Sequence, residues 1–372
     1  MSIDSYDEWD FIFLGPIDSV YTQSLWHAAA LLLSKGELKR NIISINWPTY
    51  PIVSCGFHQV VSQVVDLDYC KKNNIPVVRR AVGGGSVYLD SNQLFYHFIW
   101  HNKTPYIPRN VSEIFKTLLK PVVQTYRDFG VDAVFKPVND ILAKNRKISG
   151  NGAGMFNSAQ VLVGNFILDF PRKEMVRILR VPDEKFRDKV YKSLQDGMSS
   201  FKDEIGYIPS RDEIISTFKI NLEEMMGLKL IENELDPKIE RDMRALKTKY
   251  FTEEWLYEIE QRGKKLFEAV KIHGSLNIAQ GTFKSQGGLI KALCEFQDSV
   301  LKDLILSGDF WITPPKLPEL ENALKGTDLL KNDLTKTIQE FLDSEACETS
   351  GTSVYDIARA IKTAYEIQKN KI

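Results

Sequence analysis

The chain is 372 residues long. A single hydrophobic core rarely supports a chain of this length, so we predict more than one domain. Its 48 basic and 49 acidic side chains nearly cancel, which favours neither nucleic acid nor an anionic membrane as a partner. The first residues lack the basic and apolar blocks of a secretion signal, and no apolar run reaches the roughly 18 residues of a spanning helix.

Few metal or disulfide signals are present. The four cysteines form no CxxC pair and the five histidines are scattered, so we predict neither a zinc site nor structural disulfides. His97 and His101 are spaced i, i+4, but they lie in a strand-like run where that spacing has no helical meaning. This cysteine usage favours a soluble protein of the reducing cytoplasm.

A predicted helix at residues 19–33 precedes a strand-rich region, in which Arg79 and Arg80 are followed by Gly83, Gly84 and Gly85. The β-branched and aromatic flanks predict a tight connection or distorted strand within a sheet. Glycine lets a backbone approach a ligand closely, and the guanidinium groups favour an anion. The same pattern is also typical of a plain hairpin turn.

The segment at residues 136–152 predicts a strand, a polar turn and a second strand that ends in Gly and Asn. Lys147 follows the turn, where its ammonium group can reach a phosphate or carboxylate in a cleft. Lys144 is expected to be a solvated turn residue. Asn139 and Asp140 fit either a turn pair or ligands for a nucleotide and magnesium.

From residue 171 to about 260 the pattern favours charged helices, interrupted at Pro209 and Pro237. Strands are then predicted at residues 276–280, 289–296 and 300–306, with two or three helices after them. In the last helix, 353–369, one apolar stripe is expected to pack on this second domain.

The segments RRAVGGGSVYLD, KPVND and RKISGNG, in this order, resemble the motifs of the lipoate-protein ligase family within the biotin and lipoate ligase superfamily. Trp47, the segment 51–59 and the segment 164–169 fit the same pattern, so the resemblance spans most of residues 9–170. Lys284–Ile290 and the SGDF sequence at 307–310 resemble the small accessory domain of these ligases.

The resemblance implies a fold of α+β or α/β class: a mixed β-sheet flanked by helices, plus a smaller α+β C-terminal domain. It implies a catalytic domain at 1–260 and an accessory domain at 270–372. The accessory-domain candidates are Lys284, Gly287 and Gly288, and by pattern alone the two glycines are equally typical of a hairpin and Lys284 of a surface residue.

The activity implied by the resemblance is ATP-dependent activation of lipoate to lipoyl-AMP, followed by transfer to a lysine of an acceptor protein. By family position Lys147 is the catalytic residue, Arg80 binds the same anionic group, and Asp140 is the candidate magnesium ligand. The remaining adenylate-binding candidates are Gly83, Gly84, Gly85, Asn139, Ser149 and Gly150. Val78, Val82 and Val87 are candidates for an apolar slot around the dithiolane.

Several residues depart from the family pattern. Leu89 replaces a usual histidine, Pro137 and Val138 replace a usual Gly-Arg, and Val163 replaces a histidine before Gly164. The small Gly-Ser-Ala that usually follows the lysine is replaced by Gly150, Asn151, Gly152 and Ala153. The first helix offers Gln23, Ser24 and His27 where an acidic residue is usual. A leucine cannot donate to a carboxylate, so if the usual histidine helps to bind the acid, this protein must do without it or adapt its substrate preference.

Three alternatives stay open. An octanoyl or lipoyl transferase on this fold needs a pocket cysteine, and residues 71–293 contain none. A biotin ligase lacks support because no GRGRxG-like segment is present. The third is a non-catalytic lipoyl-binding escort protein. The expected partner is a lipoyl-domain acceptor: a 2-oxoacid dehydrogenase E2 subunit, a glycine-cleavage H protein or a sulfur-metabolism carrier. The chain itself is expected to be a monomer.

Overall fold

The computed structural model describes residues 8–273 and 278–370, with side chains described outside 267–273. The chain forms two compact units. The first is Met1–Ser54, Val65–Arg80 and Val87–Phe251, and the second is Cys55–Val64, Ala81–Ser86 and Thr252–Ile372. Two short early segments, 55–64 and 81–86, thus fold with the C-terminal part of the chain. The domain limits 1–260 and 270–372 stay a prediction.

The strands of the described residues are β1 (Glu8–Ile17), β2 (Asn41–Pro48), β3 (Ile52–Cys55), β4 (Val77–Arg79), β5 (Val87–Leu89), β6 (Gln93–His101), β7 (Ala133–Lys136), β8 (Asp140–Ala143), β9 (Arg146–Ser149), β10 (Asn151–Phe156), β11 (Ala159–Ile167), β12 (Lys229–Glu232), β13 (Ile278–Ser285), β14 (Gly288–Gln297) and β15 (Val300–Gly308).

The helices are α1 (Tyr21–Ser34), α2 (Val61–Val64), α3 (Leu67–Lys72), α4 (Val111–Leu118), α5 (Lys120–Asp128), α6 (Arg172–Ile178), α7 (Glu184–Gly197), α8 (Phe201–Ile205), α9 (Arg211–Met226), α10 (Pro237–Tyr250), α11 (Glu253–Leu256), α12 (Glu258–His273), α13 (Leu317–Leu324), α14 (Leu334–Ser344) and α15 (Val354–Lys369). Helix starts follow local chemistry: α9 and α15 each begin with a capping box, and Pro237 occupies the first turn of α10 after the Asp236 cap.

The first unit is built on a six-stranded mixed sheet in the order β10-β11-β6-β2-β1-β12. β1 runs parallel to β2 and β12, and the other pairs are antiparallel. Helix α1 packs against β6 and β11, and α10 packs on α1. On β6, Tyr96 and Phe98 pack with Phe218 of α9. The residues of β6 are nearly all buried, which explains why its sequence is mostly apolar and aromatic.

Two three-stranded sheets complete the first unit. One has the order β4-β3-β5 and the other is the antiparallel set β7-β8-β9. Since β4 and β5 lie on opposite sides of β3, the glycine-containing segment between them crosses from one edge of β3 to the other. The hairpin alternative for Gly83–Gly85 is therefore wrong, because a hairpin requires the two flanking strands to pair.

The second unit contains the antiparallel sheet β13-β14-β15 with α13, α14 and α15 packed around one apolar core. The predicted packing of the last helix is confirmed, since Ile357, Ala358, Ile361 and Ala364 of α15 are buried. A backbone contact explains Gly281: a Cβ there would lie 2.0 Å from the carbonyl oxygen of Ala360. Part of the strand predicted at 276–280 lies outside the described residues.

The predicted fold class is confirmed: a mixed sheet flanked by helices, with a C-terminal region of strands and helices. The helical region after residue 171 is also confirmed, with one correction. Residues 229–232 form the strand β12, because Gly227 ends α9 in a left-handed conformation and the chain then pairs with β1. None of the described helices combines the length and apolar character that crossing a bilayer requires.

Candidate active site

Lys147 lies on a bulged β-hairpin. The turn between β8 and β9 is made by Lys144 and Asn145, both with positive φ. The register shifts from Ile141 opposite Ser149 to Leu142 opposite Lys147, so β9 carries one extra residue. A bulge re-aims the side chains beside it, and bulges occur often next to functional sites. The predicted strand, turn and strand are therefore present, and the bulge adjoins Lys147.

The ammonium of Lys147 is held by a carboxylate. Its Nζ lies 2.6 Å from Oδ1 of Asp140, and each side chain is about one-third exposed, 32% and 34%. A pair of this exposure contributes only about 0–1 kcal/mol, because water screens it. An incoming phosphate or carboxylate can thus compete for the lysine. Lys144, by contrast, is 66% exposed and pairs with Glu204, which also binds Arg146.

A network of amides fixes the backbone around the candidate residues. Asn139 Nδ2 donates to the carbonyl of Asn151 at 2.6 Å, and Asn151 Nδ2 donates to the carbonyl of Asn139 at 3.0 Å. Asn165 Oδ1 accepts from the N–H of Gly150 at 2.8 Å. Ser149 Oγ donates to the carbonyl of Asn165 at 2.7 Å. These bonds link the backbone at Asn139, Ser149 and Gly150 in one hydrogen-bond network.

Arg80 is buried, at 9% exposure, and its Nη1 donates to the carbonyl of Ser54 at 2.9 Å. Ser54 Oγ in turn donates to Oε1 of Gln23, one of the residues that replace the usual acidic group of α1. A guanidinium stays charged and can bind a carboxylate or phosphate through two hydrogen bonds, which fits the predicted role of Arg80 as an anion ligand. Leu89 is a buried apolar residue of β5, paired with Ile52.

The other candidates belong to the second unit. Gly83–Gly85 lie in the segment Ala81–Ser86, and Gly84 has φ +94°. Gln286 and Gly287 form the two-residue hairpin turn between β13 and β14, and Gly288 begins β14 opposite Ser285. Close backbone approach requires both glycines, since a Cβ would lie 2.3 Å from Ser350 O at Gly287 and 2.6 Å from Asp309 O at Gly288. Lys284 is exposed on β13.

Buried histidines are neutral in the first unit. Burial lowers the pKa of His97 to about 3, and its Nδ1 lies 2.9 Å from Ser44 Oγ. Burial, with a smaller contribution from Lys249, lowers the pKa of His27 to about 3, and its Nδ1 lies 2.8 Å from the Tyr250 hydroxyl. Neither imidazole can therefore supply a positive charge near neutral pH.

Asp140 is the candidate magnesium ligand. Among the described residues, no group of three or more His, Cys, Asp or Glu side chains is placed to hold a metal ion. Asp140 nevertheless fits magnesium chemistry, since Mg²⁺ is commonly bound by one or two carboxylates plus substrate phosphates and water. A magnesium ion at Asp140 would therefore depend on the phosphates of a bound nucleotide.

Sequence reasoning missed two parts of the site. Asn151 and Asn165 anchor the lysine hairpin, but single asparagines in strands carry no pattern that predicts a cross-strand role. Tyr96 was also missed; its hydroxyl lies 2.5 Å from Asn151 Oδ1, and burial raises its pKa so that it stays protonated. Its position in the apolar run of β6 made it look like core only.

The fold is that of solved lipoate-protein ligases. A family model described as the lipoyl protein ligase A/B catalytic domain matches residues 21–223, more than half of the chain. The chain therefore belongs to the lipoyl protein ligase A/B family.

Relatives include two activities. The chain is 33% identical over 214 residues to lipoate-protein ligase A subunit 1 of Thermoplasma acidophilum, covering 55% of this chain and 79% of that protein. It is 23% identical over 274 residues to the octanoyltransferase LipM of Halalkalibacterium halodurans, covering 67% and 98%. Family membership is thus compatible with a ligase or a transferase.

Solved structures agree with the fold. A bi-partite lipoate protein ligase of Thermoplasma acidophilum, solved in a study of its E2 lipoyl domain, matches with TM-score 0.59 and 28% identity over 67% of this chain and 96% of that chain. Lipoate-protein ligase A bound with ATP matches with TM-score 0.55 and 25% identity over 67% and 98%. Plasmodium falciparum LipL1 shares the fold with TM-score 0.65 and 13% identity over 97% and 99%.

Proposed function

We propose that this protein is an ATP-dependent lipoate-protein ligase. Support comes from its membership of the family, from the likeness to a ligase bound with ATP, and from the positive charge of Lys147 and Arg80. Lipoate and the triphosphate are both anions, so bringing them together requires preorganised cations.

The proposed reaction has two steps. In the first, a lipoate carboxylate oxygen attacks the α-phosphorus of ATP; the bond to the bridging oxygen breaks and pyrophosphate leaves. In the second, the neutral amine of an acceptor lysine attacks the acyl carbon. An amide forms, AMP leaves with the bonding electrons, and the amine loses a proton.

The residues have distinct proposed roles. Lys147 leaves Asp140 to bind the carboxyl and α-phosphate oxygens, and it stabilises the charge that develops there. Arg80 binds the same anionic group. Asn139, Ser149 and Gly150 present a rigid wall to the adenylate, and Gly83–Gly85 supply backbone that a ligand can approach. Asp140, once released, is the proposed magnesium ligand.

The burial of the cysteines is the observation that favours a ligase over a transferase. A transferase that works through a thioester needs a reachable thiolate. The family-matched region 21–223 contains only Cys55 and Cys70, and these are 0% and 1% exposed. No thiol in that region is accessible to an acyl donor, whereas Lys147 is.

A direct experiment offers one lipoyl-domain acceptor two acyl sources. The first is free lipoate with ATP and magnesium; the second is an octanoyl carrier protein without nucleotide. We expect a lipoyl mass gain on the acceptor only with the first source. The octanoyltransferase relatives make the second source the competing function, and acyl transfer without ATP would establish it in place of the ligase.

Two further alternatives have their own tests. Competition between biotin and lipoate for adenylate formation separates a biotin ligase from the proposed activity. ATP binding without turnover would indicate the non-catalytic escort protein. The proposed acceptor class is a lipoyl domain, since the similar Thermoplasma ligase belongs to a lipoylation system that includes its E2 lipoyl domain. A panel of E2, glycine-cleavage and sulfur-metabolism carriers would identify the member.

A further inference from the structure

The glycine segment, residues 81–86, is packed by backbone against the segment 56–59 within the second unit. The N–H of Phe57 donates to the carbonyl of Val82 at 2.9 Å. A Cβ at Gly56 would lie only 1.7 Å from the carbonyl oxygen of Gly84, so the two chains touch where neither has a side chain. Gln59 Oε1 accepts from the N–H of Gly56 at 3.0 Å and from Ser86 Oγ at 2.8 Å.

The SGDF segment, Ser307–Phe310, adjoins both of these pieces of chain. A Cβ at Gly83 would lie 2.8 Å from the carbonyl oxygen of Phe310, a distance that real Cβ contacts essentially never show. The N–H of Gly308 donates to the carbonyl of His58 at 2.8 Å. The SGDF backbone thus contacts the glycine segment directly and holds the neighbouring segment through His58.

Stacked rings join the same two segments. The imidazole of His58 and the ring of Phe310 have centroids 5.5 Å apart at an interplanar angle of 16°. Both side chains are buried, at 3% and 0% exposure. Such an aromatic pair stabilises the contact beyond the area that it buries, so it can bias the conformation of a segment that contains three consecutive glycines.

We propose that His58 and Phe310 are positioning residues: their stacked rings and the close contact of Phe310 with Gly83 set the shape of the glycine segment. Phe310, from the C-terminal part of the chain, thereby shapes a segment that is proposed above to lie against the adenylate. The effect on activity rests on the proposed function, whereas the effect on the segment does not.

The test uses full-length protein with His58→Ala, which removes the ring, and His58→Phe, which keeps it. Hydrogen exchange of the amides of residues 81–86 measures the segment directly. We expect exchange to rise roughly three- to tenfold in His58→Ala, as loss of one aromatic pair implies, with lipoyl-adenylate formation slowed by a similar factor. His58→Phe is expected to restore both.

Control variants distinguish a local effect on residues 81–86 from a general loss of stability. His101→Ala removes a partly buried histidine of the first unit and is expected to leave exchange at 81–86 unchanged. Gly83→Ala disturbs the same contact with Phe310 from the glycine segment, and it is expected to raise exchange at 81–86. Gly197→Ala, whose Cβ would meet nothing within 4 Å, is expected to leave that exchange unchanged.

Unchanged exchange at 81–86 in both His58→Ala and Gly83→Ala would overturn the proposal. It would also be overturned if exchange rose equally in strand β11, since that indicates global unfolding. If the wild type makes no lipoyl-adenylate, the proposed function fails, and the exchange comparison still decides the positioning role.

Discussion

Lys147 is the residue on which the proposed chemistry depends most. Lys147→Ala removes the one-third exposed cation beside Asp140, and we expect lipoyl-adenylate formation to fall about 100- to 1000-fold, the usual loss of one preorganised charged donor. Mass spectrometry of the adenylate measures it. Lys144→Ala is the matched control, because Arg146 still pairs with Glu204 when Lys144 is removed. Equal activity of the two variants would remove Lys147 from the mechanism.

Asp140 has two proposed partners, Lys147 before the substrates bind and magnesium afterwards. Asp140→Asn keeps a hydrogen-bond acceptor for the lysine but loses the charge that attracts a cation. We expect the magnesium concentration at half-maximal adenylate formation to rise severalfold. The exposed Asp132→Asn serves as the control. An unchanged magnesium dependence in Asp140→Asn would exclude Asp140 as a metal ligand.

Strand β11 shows how closely an element of the site is packed. At Gly164 a Cβ would lie 2.3 Å from Asn151 Oδ1 and 2.4 Å from the ring and hydroxyl of Tyr96. Gly164→Ala is therefore an overpacked core substitution, and we expect it to lower the free energy of unfolding by about 1–3 kcal/mol. Denaturation by urea measures the change.

The matched substitution is Gly197→Ala in the last turn of α7, where the new methyl group meets nothing within 4 Å. It is expected to be neutral or to stabilise by up to about 1 kcal/mol, since alanine is the better helix former. If Gly164→Ala is equally neutral, the contact with Tyr96 and Asn151 is not as tight as described.

At the level of elements, local sequence predicted those strands and helices that have a clear period or a clear boundary. The β8–β9 hairpin follows from Lys144-Asn145, and α15 follows from Ser353 and its apolar stripe. Strand β12 was missed because its four residues, KLIE, follow a helix and become a strand only by pairing with β1.

The candidate site was predictable only where its residues form short motifs. Arg80, Lys147 and the glycines stand in recognisable segments, whereas Asn165 and Tyr96 act through contacts across strands. The contact of Gly83 with Phe310 joins residues more than 220 positions apart in sequence, and local patterns carry no information on such a pair.

At the scale of the whole molecule, stability is expected to depend on pH through His27 and His97. Their pKa values are lowered to about 3 in the folded state by burial, while an unfolded histidine titrates near 6.5. Between these values the unfolded chain binds more protons, so stability is present above about pH 6.5 and is lost as pH falls. The slope approaches about 1.4 kcal/mol per pH unit for each histidine.

Urea denaturation from pH 7 to pH 5, above most carboxylate titrations, measures this slope. His27→Gln keeps a polar partner for the Tyr250 hydroxyl and removes one titrating group, so it is expected to lower the slope by the contribution of one histidine, at most about 1.4 kcal/mol per pH unit. A slope unchanged in His27→Gln would contradict a neutral, buried imidazole at this position.

The proposed activity of this family member is the activation of lipoate with ATP. The most direct measurement incubates the full chain with lipoate, ATP and magnesium, without acceptor, and detects the products by mass spectrometry. We expect lipoyl-adenylate and pyrophosphate from the wild type and at least a hundredfold less of both from Lys147→Ala. Absence of lipoyl-adenylate, together with octanoyl transfer from a carrier protein without ATP, would contradict the proposed activity.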